Sequence, residues 1–259
     1  MSSRLEGKNV FITGASAGIG EACAREFAKA GSNLILTARR IERLDQLKDE
    51  LLKKHPTIKI YTHHLNVCEK SNVDQLVSSL PADFKDIDVL INNAGLVIGL
   101  DRVEDISVDA IDIMIDTNVK GLLYVIQAII PRMKERQKGH IFNVGSISGK
   151  QVYDKGSVYC ATKHAVNAIS RTLLLEVVDT PIRVTEINPG MVETEFSIVR
   201  FSGDKEKANK VYEGLTPLNG TDIAEIIVFA ASRPDHVNIA DVVVYPVSQA
   251  AATTIHRKS

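Results

Sequence analysis

Tryptophan is absent from the 259 residues, cysteine occurs three times, and the net charge is only −1. Each shortage excludes something. Cys23, Cys68 and Cys160 lie far apart with no CxxC pair, which argues against a disulfide framework or a zinc site and for a reducing compartment. No metal is expected, and the cytoplasm is the expected location. A balanced charge with no basic stripe makes nucleic acid and anionic membranes poor partners. The opening, MSSRLEGKNVF, has no apolar segment of the kind a secretory leader needs. The longest apolar run, 122–130, is interrupted by Gln127 and is too short to span a bilayer, and the ending HRKS is not a peroxisomal address. With no repeat, low-complexity run or linker, residues 1–259 are expected to form one domain.

What is present has the ordinary balance of a globular protein: 44% hydrophobic and 24% charged residues. Short apolar runs at 10–12, 33–37, 58–62, 87–91, 141–144, 182–187 and 241–245 read as strands, with helical periodicity between them. Helices are expected over 41–54, from a Ser107 cap to about Pro131, over the Tyr159 stretch to Glu176, and over 222–232. The fold class is therefore α/β, a doubly wound, seven-stranded parallel sheet of Rossmann type with helices on both faces.

The first strand runs into TGASAGIG (13–20) and then a helix stopped by Gly31. Strand, glycine turn and helix form the context in which Gly14 permits a turn, Gly18 and Gly20 allow close backbone approach, and helix-start amides face a pyrophosphate. After the second strand, Ala38 stands where an acid would hold the ribose hydroxyls of NAD, and Arg39 and Arg40 follow. Guanidinium forks suit a 2'-phosphate, so NADP(H) is the expected cofactor. His63 and His64 are adjacent on an extended chain, point to opposite faces and chelate poorly.

Tyr159 and Lys163 are four residues apart and share a helix face, given a helix that begins near Ser157. A free phenol ionises near pKa ~10, so proton exchange near neutrality needs about 4 kcal/mol of phenolate stabilisation. A positive charge about 4 Å away, at an effective dielectric near 20, supplies that amount. Ser146 precedes Tyr159 by thirteen positions and returns to the same place across a loop. Asn118 interrupts an apolar helical pattern, which is costly unless its amide is paired.

These motifs, with NNAG (92–95), TNVKG (117–121) and NPGMVET (188–194), occur in order along the chain, which thereby resembles the short-chain dehydrogenase/reductases. The resemblance implies catalysis by Ser146, Tyr159, Lys163 and Asn118, the last distorting its helix and holding a water in the proton path. It also implies a cofactor site built from Gly14, Ser16, Gly18, Ile19, Gly20, Arg39, Arg40, Asn66, Val67, Asn93, Ala94, Gly95, Tyr159, Lys163, Pro189, Gly190, Val192 and Thr194. Asn66 departs from the family's usual Asp; its amide oxygen can still accept from an adenine amino group. Residues 195–214 correspond to a segment the family varies as a substrate lid, and a homodimer or homotetramer is implied. Within the family, FKDIDVLINNAG, GSVYCATK and INPGMVETEFSIVRF are similar to the NADP-dependent 3-hydroxy acid dehydrogenases of yeasts and bacteria, which act on serine, L-allo-threonine and 3-hydroxypropionate-type compounds. A small-molecule substrate is expected, touching Ser146 and Tyr159, with Arg200 for its carboxylate. Two alternatives stand beside this reading: a broad carbonyl reductase, and a dinucleotide-binding regulator without turnover.

Overall fold

A computed structural model describes residues 4–201 and 203–257. Ser202 of the lid segment and Lys258 and Ser259 of the HRKS ending lie outside the described residues. Seven parallel strands form one sheet in the order β3-β2-β1-β4-β5-β6-β7. They are β1 (Asn9–Thr13), β2 (Asn33–Ala38), β3 (Ile60–His64), β4 (Val89–Asn92), β5 (His140–Val144), β6 (Arg183–Pro189) and β7 (Asp241–Val244). Alternate residues of each strand face opposite layers. Val10, Ile12, Leu34 and Leu36 point into one core, beneath α1 (Gly18–Lys29) and α2 (Ile41–Lys54). Phe11 and Ile35 point into the other, which α3 (Lys70–Ser79) helps to cover. Strands buried on both faces need near-continuous apolar runs, and that is how their sequences read.

The expected long helix is divided in three. Ser107 caps α4 (Val108–Ile115) by accepting from Ala110 N. A π-helical segment follows at Asp116–Gly121, and then α5 (Leu122–Glu135), which continues through Pro131. Ile129 and Met133 are essentially fully buried on either side of that proline, and their burial outweighs the roughly 3 kcal/mol a helix-interior proline costs. The whole run Val108–Glu135 is long and apolar enough to cross a membrane by length and composition; in this fold Leu122, Val125, Ile126 and Ile129 pack into the second core. Helix α6 (Ser157–Glu176) begins after Gly156, so Ser157 is its first residue rather than its cap. Two short helices, α7 (Glu195–Arg200) and α8 (Lys205–Lys210), occupy the segment expected to be a lid, and α9 (Gly220–Ala231) returns to the first core.

Between β1 and β4 the strand order reverses, and a doubly wound sheet opens a crevice at that switch point, outside the carboxyl ends of its strands. The opposite end of the sheet holds two buried basic side chains. Arg183, at the start of β6, donates to Ala230, Ala231, Arg233 and Val237 carbonyls at and beyond the end of α9. Beside it His140 holds Thr185 Oγ1 2.7 Å from Nε2, while Nδ1 is buried without a partner.

Burial, then the neighbouring Arg183 charge, keep the His140 imidazole well below its usual pKa. The folded chain therefore holds His140 neutral while the unfolded chain takes up a proton below about pH 6.5. The associated stability is complete above that pH and is lost below it, by up to about 1.4 kcal/mol per pH unit. Urea denaturation at pH 5.5 and 7.5 should show a smaller acid loss for His140→Gln than for the wild type. Equal losses would assign the acid sensitivity to other groups.

Candidate active site

The glycine turn is held from below by the NNAG loop. Thr13 Oγ1 accepts from Asn93 N and Ala94 N, and Asn93 Nδ2 donates to Thr13 O and Gly14 O. Gly14 has φ +67°, and a Cβ there would come within 2.9 Å of Asn93 Nδ2, so both conformation and space require glycine. Gly18, at φ +57°, lies against the Thr194 side chain, which links the turn to the lid.

Above the turn opens a cavity of about 1020 Å³. Every cofactor residue expected from the sequence lines it except Gly20, which is buried under the turn where a Cβ would strike Gly14 O. Arg39 and Arg40 stand at its β2 edge, and Arg40 donates through Nε and Nη2 to Ser16 Oγ at 3.2 and 3.1 Å. Asn66 also lines the cavity, but its amide is engaged: Oδ1 accepts from Cys68 N, and Nδ2 donates to Glu69. Its part in the turn before α3 is thus visible, and an adenine contact would use the oxygen's second lone pair.

The side chains expected from the sequence to be catalytic converge from three elements. Ser146 leaves β5 with its N–H donating to Asn188 Oδ1 on β6, and its Oγ accepts from Ser148 N. Tyr159 and Lys163 descend from α6; both are buried. Asn118 lies in the π-helical segment behind them, where the cost of its burial is met in full: Oδ1 accepts from Leu96 N, and Nδ2 donates to Leu96 O and Thr162 Oγ1. The side chain thereby fixes the loop after β4 to α6. A water-holding part is left to the second lone pair of Oδ1 and to the backbone of the π turn.

The electrostatics differ from the simple Tyr/Lys pair. Lys163 Nζ donates to Val144 O at 2.8 Å and sits 5.9 Å from the Tyr159 ring centroid. Burial pushes the phenol above its ordinary range, while a hydrogen bond with Ser146 and then the Arg200 charge pull it back. Arg200, with its guanidinium carbon 5.9 Å from the same ring, is thus a second cation beside the phenol, as near to it as Lys163. Burial lowers the Lys163 ammonium to about 8, opposed by the Glu186 carboxylate.

Four groups were given no role from the sequence. Tyr153 accepts from Arg200 Nη2 at 3.2 Å, and Phe196 meets the Tyr159 ring edge-on at 5.7 Å. Asn188 holds Ser146 in place, and Glu195 bridges Arg40 and Arg43. Each works through a loop or across a sequence separation that periodicity does not report. The site as a whole joins a dinucleotide-sized cleft to a phenol, a hydroxyl and an ammonium, which suits proton transfer beside hydride transfer.

Known proteins share this family and fold. The family model for short chain dehydrogenases matches residues 8–205. The chain is 46% identical to an NADP-dependent 3-hydroxy acid dehydrogenase of Schizosaccharomyces pombe, over 99% of each chain. It is 47% identical to an enzyme of the same description from Salmonella typhimurium, over 96% of this chain and 99% of the relative. The closed form of a serine dehydrogenase complexed with NADP+ superposes with a TM-score of 0.91 at 42% identity, covering 96% of this chain and 100% of that one.

Proposed function

Because this chain belongs to the short-chain dehydrogenase family, we propose that it interconverts a small 3-hydroxy acid, such as serine, L-allo-threonine or 3-hydroxypropionate, and the corresponding 3-oxo acid. It is an oxidoreductase, and its cofactor is NADP(H). The residues fit that cofactor: a positive-φ glycine turn at Gly14 and Gly18, two arginines and Ser16 at the β2 edge, and no acid at Ala38. Gly14, Gly18 and Ile19 would face the pyrophosphate, Arg39, Arg40 and Ser16 the 2'-phosphate, and Val192 and Thr194 the nicotinamide. When bound, the nicotinamide supplies the acceptor or donor of a hydride.

The chain supplies the proton chemistry. In oxidation Tyr159 takes the hydroxyl proton, and Ser146 hydrogen-bonds the reacting oxygen more strongly as negative charge grows on it. The Lys163 ammonium and Arg200 stabilise the phenolate that results. In reduction the neutral phenol, which burial favours, donates the proton back.

The observation that supports the acid substrate is Arg200. Its Nε is buried without a hydrogen-bond partner among the described residues, while its guanidinium lies over the Tyr159 and Phe196 rings and reaches Tyr153. A carboxylate beside the reacting carbon would satisfy that donor and pair with the charge. In steady-state assays with NADP, Arg200→Met should lower kcat/KM for 3-hydroxy acids about a hundredfold, near 3 kcal/mol, and lower it for a neutral secondary alcohol far less, by the lost phenolate stabilisation alone. Equal effects on both, or neutral ketones outrunning every hydroxy acid in the wild type, would favour a broad carbonyl reductase instead.

A further inference from the structure

Glu195, the first residue of α7, stands between the cofactor edge of the cavity and the catalytic phenol. Its Oε2 accepts from Arg40 Nη1 at 2.8 Å and its Oε1 from Arg43 Nη1 at 2.6 Å. Arg40 is one of the two arginines facing the 2'-phosphate position, and its other nitrogens already hold Ser16. Arg43 lies in the first turn of α2 and does not line the cavity. The carboxylate is therefore bound where an anion is expected, by a guanidinium the ligand needs. Both ion pairs are about half exposed, with side-chain exposures of 40 to 46%. Pairs of this kind are individually modest and exchangeable.

The charges around this edge are unequal. Arg39, Arg40 and Arg43 carry three positive charges against the single carboxylate of Glu195, and a phosphate monoester brings roughly −1.5 to −2. The same helix carries the substrate side of the site: Phe196, next to Glu195, touches the Tyr159 ring, and Arg200, at the far end, lies above it. One short helix thus ties the phosphate edge to the catalytic phenol.

We propose that Glu195 is a specificity gate: its carboxylate occupies Arg40 until a 2'-phosphate takes that guanidinium, and the exchange leaves Glu195 paired with Arg43 alone. This rests on the assignment of Arg39 and Arg40 to the phosphate. A dinucleotide without the 2'-phosphate has no group with which to win Arg40, so Glu195 stays bridged and α7 keeps both ties. Arg43 shares the carboxylate and makes it easier to displace from Arg40. It thereby acts as a positioning residue for a ligand it does not touch.

The test uses the intact protein and two probes, adenosine 2'-monophosphate and adenosine 5'-monophosphate, titrated by calorimetry. The wild type should prefer the 2'-phosphate. Glu195→Gln and Glu195→Ala should each bind it about three to ten times more tightly, with the 5'-phosphate unchanged. Arg43→Gln should weaken 2'-phosphate binding in the wild type and much less in the Glu195→Gln background, because the two act through one contact. Saturating 2'-monophosphate, and not the 5'-isomer, should speed amide exchange across 197–200. A wild type with no 2' preference would remove the two-arginine assignment and the gate together. A clear preference with unchanged or weaker binding in both Glu195 variants, additive Arg43 losses, or unaltered exchange would overturn the gate alone.

Discussion

Replacing Tyr159 with phenylalanine should lower kcat by about 10³ while leaving NADP affinity within about twofold. The change is confined to one hydroxyl. The ring keeps its edge contact with Phe196 and its place beneath Arg200, so the fold and the lid have no reason to move. What disappears is the proton acceptor, together with its hydrogen bond to Ser146. Because that group acts in the transition state, kcat and kcat/KM should fall together, with KM nearly constant. Calorimetric NADP binding separates this from misfolding. Turnover within tenfold of the wild type would remove Tyr159 from the proton step, and unchanged nucleotide binding without any wild-type turnover would revive the non-catalytic alternative.

The second large effect concerns stability. Arg183→Met should destabilise the chain by about 3 kcal/mol, read as a lower urea midpoint at unchanged slope. A methionine keeps much of the aliphatic bulk but leaves the carbonyls of Ala230, Ala231, Arg233 and Val237 without their shared donor. Those groups carry the negative end of the α9 dipole, which a guanidinium complements. The consequence reaches the cofactor turn, because Gly220 at the other end of α9 packs directly on Gly18 O. NADP affinity should therefore weaken in step with stability, and Arg183→Lys should restore part of both. A loss below about 1 kcal/mol would mean that water replaces the guanidinium at little cost.

The sheet was readable because residues such as Val10, Phe11 and Ile12 are apolar in succession, and only a strand covered on both faces makes use of that. Strand ends were less readable. The third strand occupies Ile60–His64 rather than 58–62, since its register comes from pairing Leu34 with Ile60 and Ala38 with His64, and a single sequence does not display that pairing. Tyr159 and Lys163 were legible as helix neighbours, yet the second cation beside the phenol was not. Arg200 approaches from a helix forty residues away, while the Lys163 ammonium turns to Val144 O. Asn118 was legible as an anomaly in an apolar pattern; that Leu96 would satisfy it depends on where the NNAG loop crosses.

The π-helical segment at Asp116–Gly121 also bears on how this chain can change over evolution. One residue more than an α-helix needs is accommodated there, so the apolar stripe slips by about 100° between α4 and α5. Ala110 and Met114 consequently face the small cluster around Tyr159, while Leu122 and Val125 face the sheet. A lineage that lost one residue in this segment would gain a more regular helix and lose the phase that aims Asn118 at Leu96. Such a deletion would therefore set helix regularity against the bonds by which Asn118 holds Leu96 and Thr162.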